Sequence, residues 1–259
     1  MTTPDEREAM RGALIWNERL RALGIPLPEV IHSDLDYEFP YLILERLSGC
    51  DLGFEIRNFR ESSLRELARQ IVGFQKKVGV LFTKNRFGYA IEAEQAPFGS
   101  WKEVLTQSID RSRKRIRRAG VVSEKCSDKV EKLVSDCGKL LDEVRATPFL
   151  HDITTKNVIV ANERLSGIVD VDNLCFGDPL FHIALTRMAL LSDRNDTAYV
   201  DFLLKEHGSY SSELLRLYTV ECCVGFLSEI GQTFNGNPVV SSKERREHLE
   251  LVMDSILKS

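Results

Sequence analysis

The stretch Leu150 to Ala184 reads LHDITTKNVIVANERLSGIVDVDNLCFGDPLFHIA, and its residue order decides the fold. It begins polar and irregular. Two β-branched runs follow, Val158-Ile159-Val160 and Ile168-Val169-Asp170-Val171, around a turn at Asn162-Glu163-Arg164. β-Branched runs bounded by turn formers predict a β-hairpin. Asn157 begins one strand and Asp170 ends the return strand, so antiparallel pairing sets the two side by side. Asp152 lies five residues before Asn157, and Asp172 stands just beyond Asp170. These oxygens would converge at one edge. Hard oxygen ligands gathered in this way suit Mg²⁺, which takes one or two carboxylates plus waters and phosphate oxygens. An Asp five residues ahead of an Asn is also the spacing of a phosphoryl-transfer catalytic loop. There the Asp accepts the proton of the substrate hydroxyl, the Asn holds one metal, and a later Asp holds the metals bridging the phosphates. Asp and Asn beside strands also serve as plain turn formers. The whole constellation, with Gly177-Asp178-Pro179 leading into a helix, favours the chemical reading.

Working outward, the chain before this stretch is mostly helical. Ala9, Ala13, Trp16 and Leu20 share one face of a helix predicted from Pro4 to Leu23, with Gly24 and Pro26 ending it. Val30-Ile31 and Tyr41 to Leu44 predict a hairpin around the turn-forming DLDYEFP, and Gly49 closes that stretch. Ser63 and Glu66 form a capping-box pattern for a helix to about Val80, and Ser100 with Glu103 for one to about Arg118. The segment between them, around Phe87-Gly88-Tyr89, reads as loop. Ser123 to Arg145 reads as one helix with an apolar stripe from Val130 to Val144. After Pro179 the expected helices run over 180–192, 197–207, 211–232 and 243–257, the last opened by a capping box from Ser241 to Glu244. The fold class is therefore α+β with two unequal lobes. A small β-containing part spans 1–49, and a large helical part carrying the hairpin spans 50–259.

Composition bounds the function. The chain has 259 residues, 43% hydrophobic and 29% charged, enough for a sizeable core. With 16 Gly and 8 Pro it is neither low-complexity nor collagen-like. A net charge of −4 argues against a dedicated nucleic-acid binder. No apolar run approaches the ~20 residues that cross a bilayer, and the polar start MTTPDEREAM is no secretory signal. A cytoplasmic protein is expected, with no membrane partner. The six cysteines show no C-x-x-C spacing and read as thiols in the core or at the surface. The basic run Arg111, Arg113, Lys114, Arg115, Arg117 and Arg118 spreads around a helix and reads as a solvated surface. His32, His207 and His248 read as surface or satisfied core residues.

The central stretch resembles the aminoglycoside phosphotransferase and choline-kinase-like superfamily, whose fold is that of the protein kinases. The family pattern runs roughly H-G-D-x-x-x-x-N, I-D-x-D and G-D-P-x-x-D-L-A. It is matched here by His151-Asp152 through Asn157, by Val169-Asp170-Val171-Asp172, and by Gly177-Asp178-Pro179 through Ile183-Ala184. Gly24 to Pro28 resembles the segment from the αC-like helix into strand four. Tyr41 to Gly49 resembles strand five and the adenine-binding hinge. Phe87 to Tyr89, followed by Trp101, resembles the insert that shapes the acceptor pocket.

The resemblance implies an ATP- and Mg²⁺-dependent phosphotransferase acting on a hydroxyl of a small molecule. It implies Asp152 as catalytic base. Asn157 and Asp170, with Asp172 as a further candidate, would be the Mg²⁺ ligands, and the backbone of Glu45, Arg46 and Leu47 would meet adenine. The acceptor, drawn from aminoglycosides, sugars, choline-like alcohols, homoserine or macrolides, would lie against region 181–257. Asp178 reads as a cap of the following helix rather than a substrate contact.

The chain also departs from the pattern. No Lys precedes Lys76, and no glycine-rich turn precedes the first helix. The family's first three strands would therefore lie ahead of Met1, about 30 residues or more by ordinary strand and loop lengths. Glu6 and Glu8 are the candidates for the orphaned acid of the αC-like helix, with a solvated first turn as the simpler alternative. Leu150, Gln75 and His182 replace two family histidines and an acid. A non-catalytic kinase-like binding protein and an N-terminally truncated fragment are the rival readings.

Overall fold

The computed structural model describes residues 4–234, 237–239 and 242–258. It opens with helix α1, Pro4–Ala22. Trp16 and Leu20 on its predicted face are buried. Gly24 takes a left-handed φ of 72°, and its N–H donates to the Arg21 carbonyl, which ends the helix. Strands β1, Val30–Asp34, and β2, Tyr41–Leu44, pair antiparallel as predicted. Three side chains of α1 fasten it to this region. Asn17 Nδ2 donates to the Pro28 carbonyl at 2.8 Å, Arg21 donates to the Leu27 carbonyl at 2.8 Å, and Arg7 reaches the Leu35 carbonyl.

The short strand β3, Cys50–Asp51, leads into α2, Leu52–Glu55, and then α3, Glu61–Gly79. Helix α3 starts two residues before the predicted box. Ser63 does not cap it, because its hydroxyl donates to Glu163 at 2.7 Å instead. The segment read as loop contains β4, Gly88–Ala90, whose register is set by a distant partner strand that no local pattern reveals. Helix α4, Trp101–Ala119, is capped as predicted. The Ser100 hydroxyl accepts from the Glu103 N–H, and Gly120 closes the far end at φ 67°. The single helix expected from Ser123 divides at Cys137 into α5, Lys125–Asp136, and α6, Gly138–Asp142.

Strands β5, Thr147–Phe149, β6, Val158–Ala161, β7, Arg164–Ile168, and β8, Leu174–Gly177, carry the central stretch. They belong to two three-stranded sheets, ordered β3-β6-β7 and β4-β8-β5. The β6–β7 turn is tighter than expected. Asn162 and Glu163 have φ of 50° and 58°, the left-handed pair of a two-residue hairpin turn. Glu163 then accepts from Arg60 Nε at 2.9 Å, which with the Ser63 bond ties the hairpin tip to the start of α3.

Helices α7, Leu180–Ser192, α8, Ala198–His207, α9, Ser212–Glu229, and α10, Lys243–Lys258, complete the lobe around the small pair β9, Thr233–Phe234, and β10, Asn237–Pro238. Helix α9 ends three residues before its expected limit. Ser242 accepts from the Arg245 N–H at the start of α10, and Ser241, the expected first residue of the capping box, lies outside the described residues. Helices α7 and α9 bury residues on nearly every side, which marks them as the centre of the bundle. The architecture is thus mixed α and β, with small sheets and a large helical lobe. All six cysteines are unpaired thiols.

Trp101 sits at the core of this lobe. Its ring meets Phe181 edge-on at 5.6 Å, and its Nε1 donates to Tyr218 Oη at 3.0 Å. The ring packs against Gly177, where an added Cβ would come within 2.3 Å of its carbons. Gly177→Ala should therefore lower stability by about 1–3 kcal/mol through overpacking. Gly138→Ala, with nothing within 4 Å of the new methyl, should leave stability equal or higher. Urea unfolding of the two variants checks this pair.

Candidate active site

Two antiparallel ladders aim their ends at one place. In the first, Phe149 of β5 lies opposite Cys175 of β8. Continuing both strands past that pair brings the loop at Asp152 beside the segment at Asp172. In the second, Val158 of β6 lies opposite Ile168 of β7, and the Val169 N–H donates to the Asn157 carbonyl at 3.0 Å. Strand β7 ends at Ile168, two residues short of the predicted return strand. The chain then swings through Asp170 with a left-handed φ of 63°.

Asn157 is buried, and its Nδ2 donates to the Asp152 carbonyl at 2.8 Å. That bond closes the loop from residue 152 to 157 and leaves Asn157 Oδ1 as an acceptor. Asp152 is half-buried. Burial pushes its carboxyl above the usual range; Lys156 opposes that shift and the charge of Asp170 adds to it. Burial likewise raises Asp172, and Asp170 again adds. Asp170 thus acts on both flanking carboxyls, so the three acids share one small region. Among the described residues no three His, Cys, Asp or Glu form a metal-holding cluster. An Asn oxygen with one or two carboxylates is instead the donor set that suits Mg²⁺, which fills its remaining positions with water and phosphate.

Three contacts hold the loop from behind. Gln75 of α3 is buried and grips the backbone of Leu150 twice. Its Nε2 donates to the carbonyl at 2.7 Å, and its Oε1 accepts from the N–H at 2.9 Å. The Thr155 carbonyl accepts from the Gly53 N–H at 3.2 Å. His151 meets the Tyr89 ring edge-on at 4.6 Å. Burial drives the His151 imidazole down to about 4, against the pull of Asp172 and Asp170, so it is neutral at pH 7. Helix α1 also touches the site, because Gly12 packs where an added Cβ would lie 2.1 Å from the Asp172 carbonyl.

Of the residues expected to form the hinge, Leu47 reaches the second ladder. Leu47 lies against Gly167, and Gly49, at φ 104°, lies against the Val160 carbonyl. Glu45 and Arg46 are exposed, and the Glu45 N–H donates to the Glu29 carbonyl at 2.8 Å. Glu8 is exposed, and the side chain of Glu6 lies outside the described residues. Asp178 caps α7, accepting from the Leu180 N–H at 2.9 Å and from Tyr218 Oη at 2.9 Å.

A cavity of about 430 Å³ opens beside Asp152. Tyr89, Phe181, Leu185 and Phe226 supply apolar lining, and Glu221 and Glu229 supply acids. Residues of region 181–257 also line it, while Trp101 lies in the core beneath and not in the wall. Sequence reading also missed Arg111 and Arg115 in this wall. The signal was present. Positions four apart share a helix face, while Arg113 and Arg117 point elsewhere, to Glu131 at 2.7 Å and Glu124 at 2.7 Å.

Solved structures share this architecture. An apo thermostable mutant of aminoglycoside phosphotransferase APH(4)-Ia aligns at a TM-score of 0.67 and 16% identity, covering 96% of this chain and 83% of that one. APH(2")-IIIa in complex with GDP and kanamycin aligns at 0.68 and 13% identity, over 99% and 84% of the two chains. ADP-bound APH(2'')-Ib aligns at 0.60 and 12% identity, over 98% and 84%. At such identities the likeness is one of fold, and that fold is the protein-kinase-like one of the aminoglycoside phosphotransferases. A sequence comparison with curated proteins finds no match. The profile of the phosphotransferase enzyme family, APH, matches residues 2–217, and the chain belongs to that family.

His182, at the position of the family's acid, is fully buried in α7. Its Nδ1 lies 2.7 Å from the Pro179 carbonyl, and among the described residues its Nε2 has no partner. Burial lowers its imidazole from 6.5 to about 4. The native state therefore resists protonation that the unfolded chain accepts. This contribution is fully present above pH 6.5 and is lost as pH falls toward 4. His182→Leu should lose less stability than wild type between pH 7 and 5, measured by urea unfolding.

Proposed function

We propose that this phosphotransferase moves the γ-phosphoryl group of ATP to a hydroxyl of a small molecule with Mg²⁺. The observation that supports it best is the convergence of Asp152, Asn157 and Asp170 on one edge, with a small-molecule-sized cavity opening beside Asp152. Asp152 is the catalytic base. Its raised carboxyl is better matched to neutral operation than an ordinary aspartate. The Asn157 bond to the Asp152 carbonyl and the Gln75 clamp fix where that carboxylate stands, so catalysis is mainly positioning and electrostatic stabilisation. Asn157 Oδ1 and Asp170, with Asp172 behind them, would hold Mg²⁺, which when bound neutralises charge on the phosphates. The part spanning 1–49 and the backbone of Glu45, Arg46 and Leu47 would receive the nucleotide base. Relatives of the fold were solved with AMP-PNP, ADP and GDP, and with hygromycin B and kanamycin, which supports a nucleotide and a hydroxyl acceptor. Among the described residues no helix is long and apolar enough to cross a membrane.

One observation favours a non-catalytic kinase-like binder: Leu150, Gln75 and His182 stand where the family pattern carries two histidines and an acid. The two readings differ in turnover. Nucleoside diphosphate release with ATP or GTP, Mg²⁺ and a panel of hydroxyl compounds should depend on Asp152. Asp152→Ala should cut it by about 10²–10⁴-fold, the scale of a lost general base, while circular dichroism stays unchanged. Equal turnover in that variant would exclude Asp152 as base. No release by the wild type with any acceptor would favour the binder.

A further inference from the structure

The loop from Asp152 to Asn157 is closed on itself, and its side chains are not equivalent. The Asn157 side chain donates to the Asp152 carbonyl at 2.8 Å, and the Asn157 N–H donates to the Thr154 carbonyl at 3.1 Å. The second bond closes a turn with Thr155 and Lys156 at its two corners. Ile153, Thr154 and Thr155 are buried. Thr154 Oγ1 donates to Asp152 Oδ1 at 3.3 Å, and Thr155 faces α2, where a Cβ added to Gly53 would lie 3.6 Å from its Oγ1. Between Asp152 and Asn157, only Lys156 has an exposed side chain. That side chain lines the cavity beside Asp152.

Lys156 is also uncommitted. Among the described residues it forms no close ion pair, although Asp193 and Glu229 line the same cavity. Its charge bears on Asp152, whereas Arg111, Arg115 and Arg245 bear with it on Glu229. An unpaired cation is thus rooted between the base and the Asn that would hold the metal. The proposed reaction has one demand at that place. The acceptor oxygen bonds to the γ-phosphorus while the bond from phosphorus to the β,γ-bridging oxygen breaks. The electron pair of that bond leaves with the diphosphate, and the hydroxyl proton passes to Asp152. Negative charge meanwhile spreads over the three equatorial oxygens of the transferring group. A cation already in place stabilises it without reorganisation, and Lys supplies a compact charge on a flexible stem.

Resting on the phosphotransferase reading, we propose that Lys156 is a catalytic residue: its ammonium group holds the equatorial oxygens of the transferring γ-phosphoryl group and contributes mainly in the transition state. The family pattern H-G-D-x-x-x-x-N leaves this position open, so the role belongs to this chain's own loop.

The test is independent of the acceptor, because water takes its place in a complex of ADP, Mg²⁺ and aluminium fluoride, which mimics the transferring group. Wild type, Lys156→Gln and Lys156→Arg, each as the full chain, are titrated by calorimetry with ADP, with ADP plus aluminium fluoride, and with AMP-PNP, all with Mg²⁺. Aluminium fluoride should tighten ADP binding by the wild type. Lys156→Gln should weaken the aluminium fluoride complex at least about tenfold, the scale of a charge-assisted hydrogen bond. It should weaken AMP-PNP binding by a much smaller factor, since AMP-PNP resembles the ground state. Lys156→Arg should recover most of the loss by restoring the charge. Lys156 is exposed, so urea unfolding of both variants should match the wild type. Three results would each overturn the proposal and leave phosphotransfer standing. They are no tightening by aluminium fluoride in the wild type, a complex of equal strength in Lys156→Gln, and equal weakening of the complex and of AMP-PNP. A wild type that binds none of these ligands with Mg²⁺ would refute the phosphotransferase reading, and the role of Lys156 with it.

Discussion

The pairing of Phe149 with Cys175 is the constraint on which the cleft depends. These residues are buried in adjacent strands, and their register fixes where the chain goes as it leaves each strand. A slip of one residue would change every cross-strand pair of these buried strands, and Asp152 and Asp172 would part. The second ladder, Val158 with Ile168, does the same for Asn157 and Asp170. Neither ladder is long, so each is braced from outside. Gln75 pins Leu150, Glu163 pins the hairpin tip to α3, and Trp101 against Gly177 locks the end of β8. Rigid elements with braced ends hold side chains within the narrow tolerances that phosphoryl transfer needs.

The same bracing links the small hairpin region to the site. The Ile168 N–H donates to the Pro26 carbonyl at 2.8 Å, and Gly167 leaves room for Leu47. Gly12 brings α1 against the Asp172 carbonyl. A shift of α1 or of the hinge would therefore be felt at the acids within one contact. Two glycines without side chains make these close approaches possible, and a methyl at either would meet backbone oxygen at under 3 Å.

Much of this was legible in the sequence because the decisive signals are local. The β-branched runs around the turn at Asn162 to Arg164, the five-residue interval from Asp152 to Asn157, and the Ser100 cap each lie within one short window. The errors fall where distant residues intervene. Strand β4 exists because β8 pairs with it. Ser63 leaves its box because Glu163 offers a better partner. The predicted helix from Ser123 breaks at Cys137, where Gly138 restarts the chain. Gln75 looked like a lost histidine, but an amide can donate and accept at once, and so it clasps both polar groups of Leu150. The basic run was read whole, yet α4 divides it between an ion-paired face and the cavity wall.

The central claim is that Asn157 and Asp170 gather a metal–nucleotide complex at the edge formed by the two ladders. The most direct measurement is calorimetric titration of ATP into the wild type and Asp170→Asn, each with and without Mg²⁺. The expected result is binding by the wild type that strengthens markedly with Mg²⁺, and loss of that Mg²⁺ dependence in Asp170→Asn. Binding of equal strength with and without Mg²⁺, or a Mg²⁺ effect that survives in the variant, would contradict it.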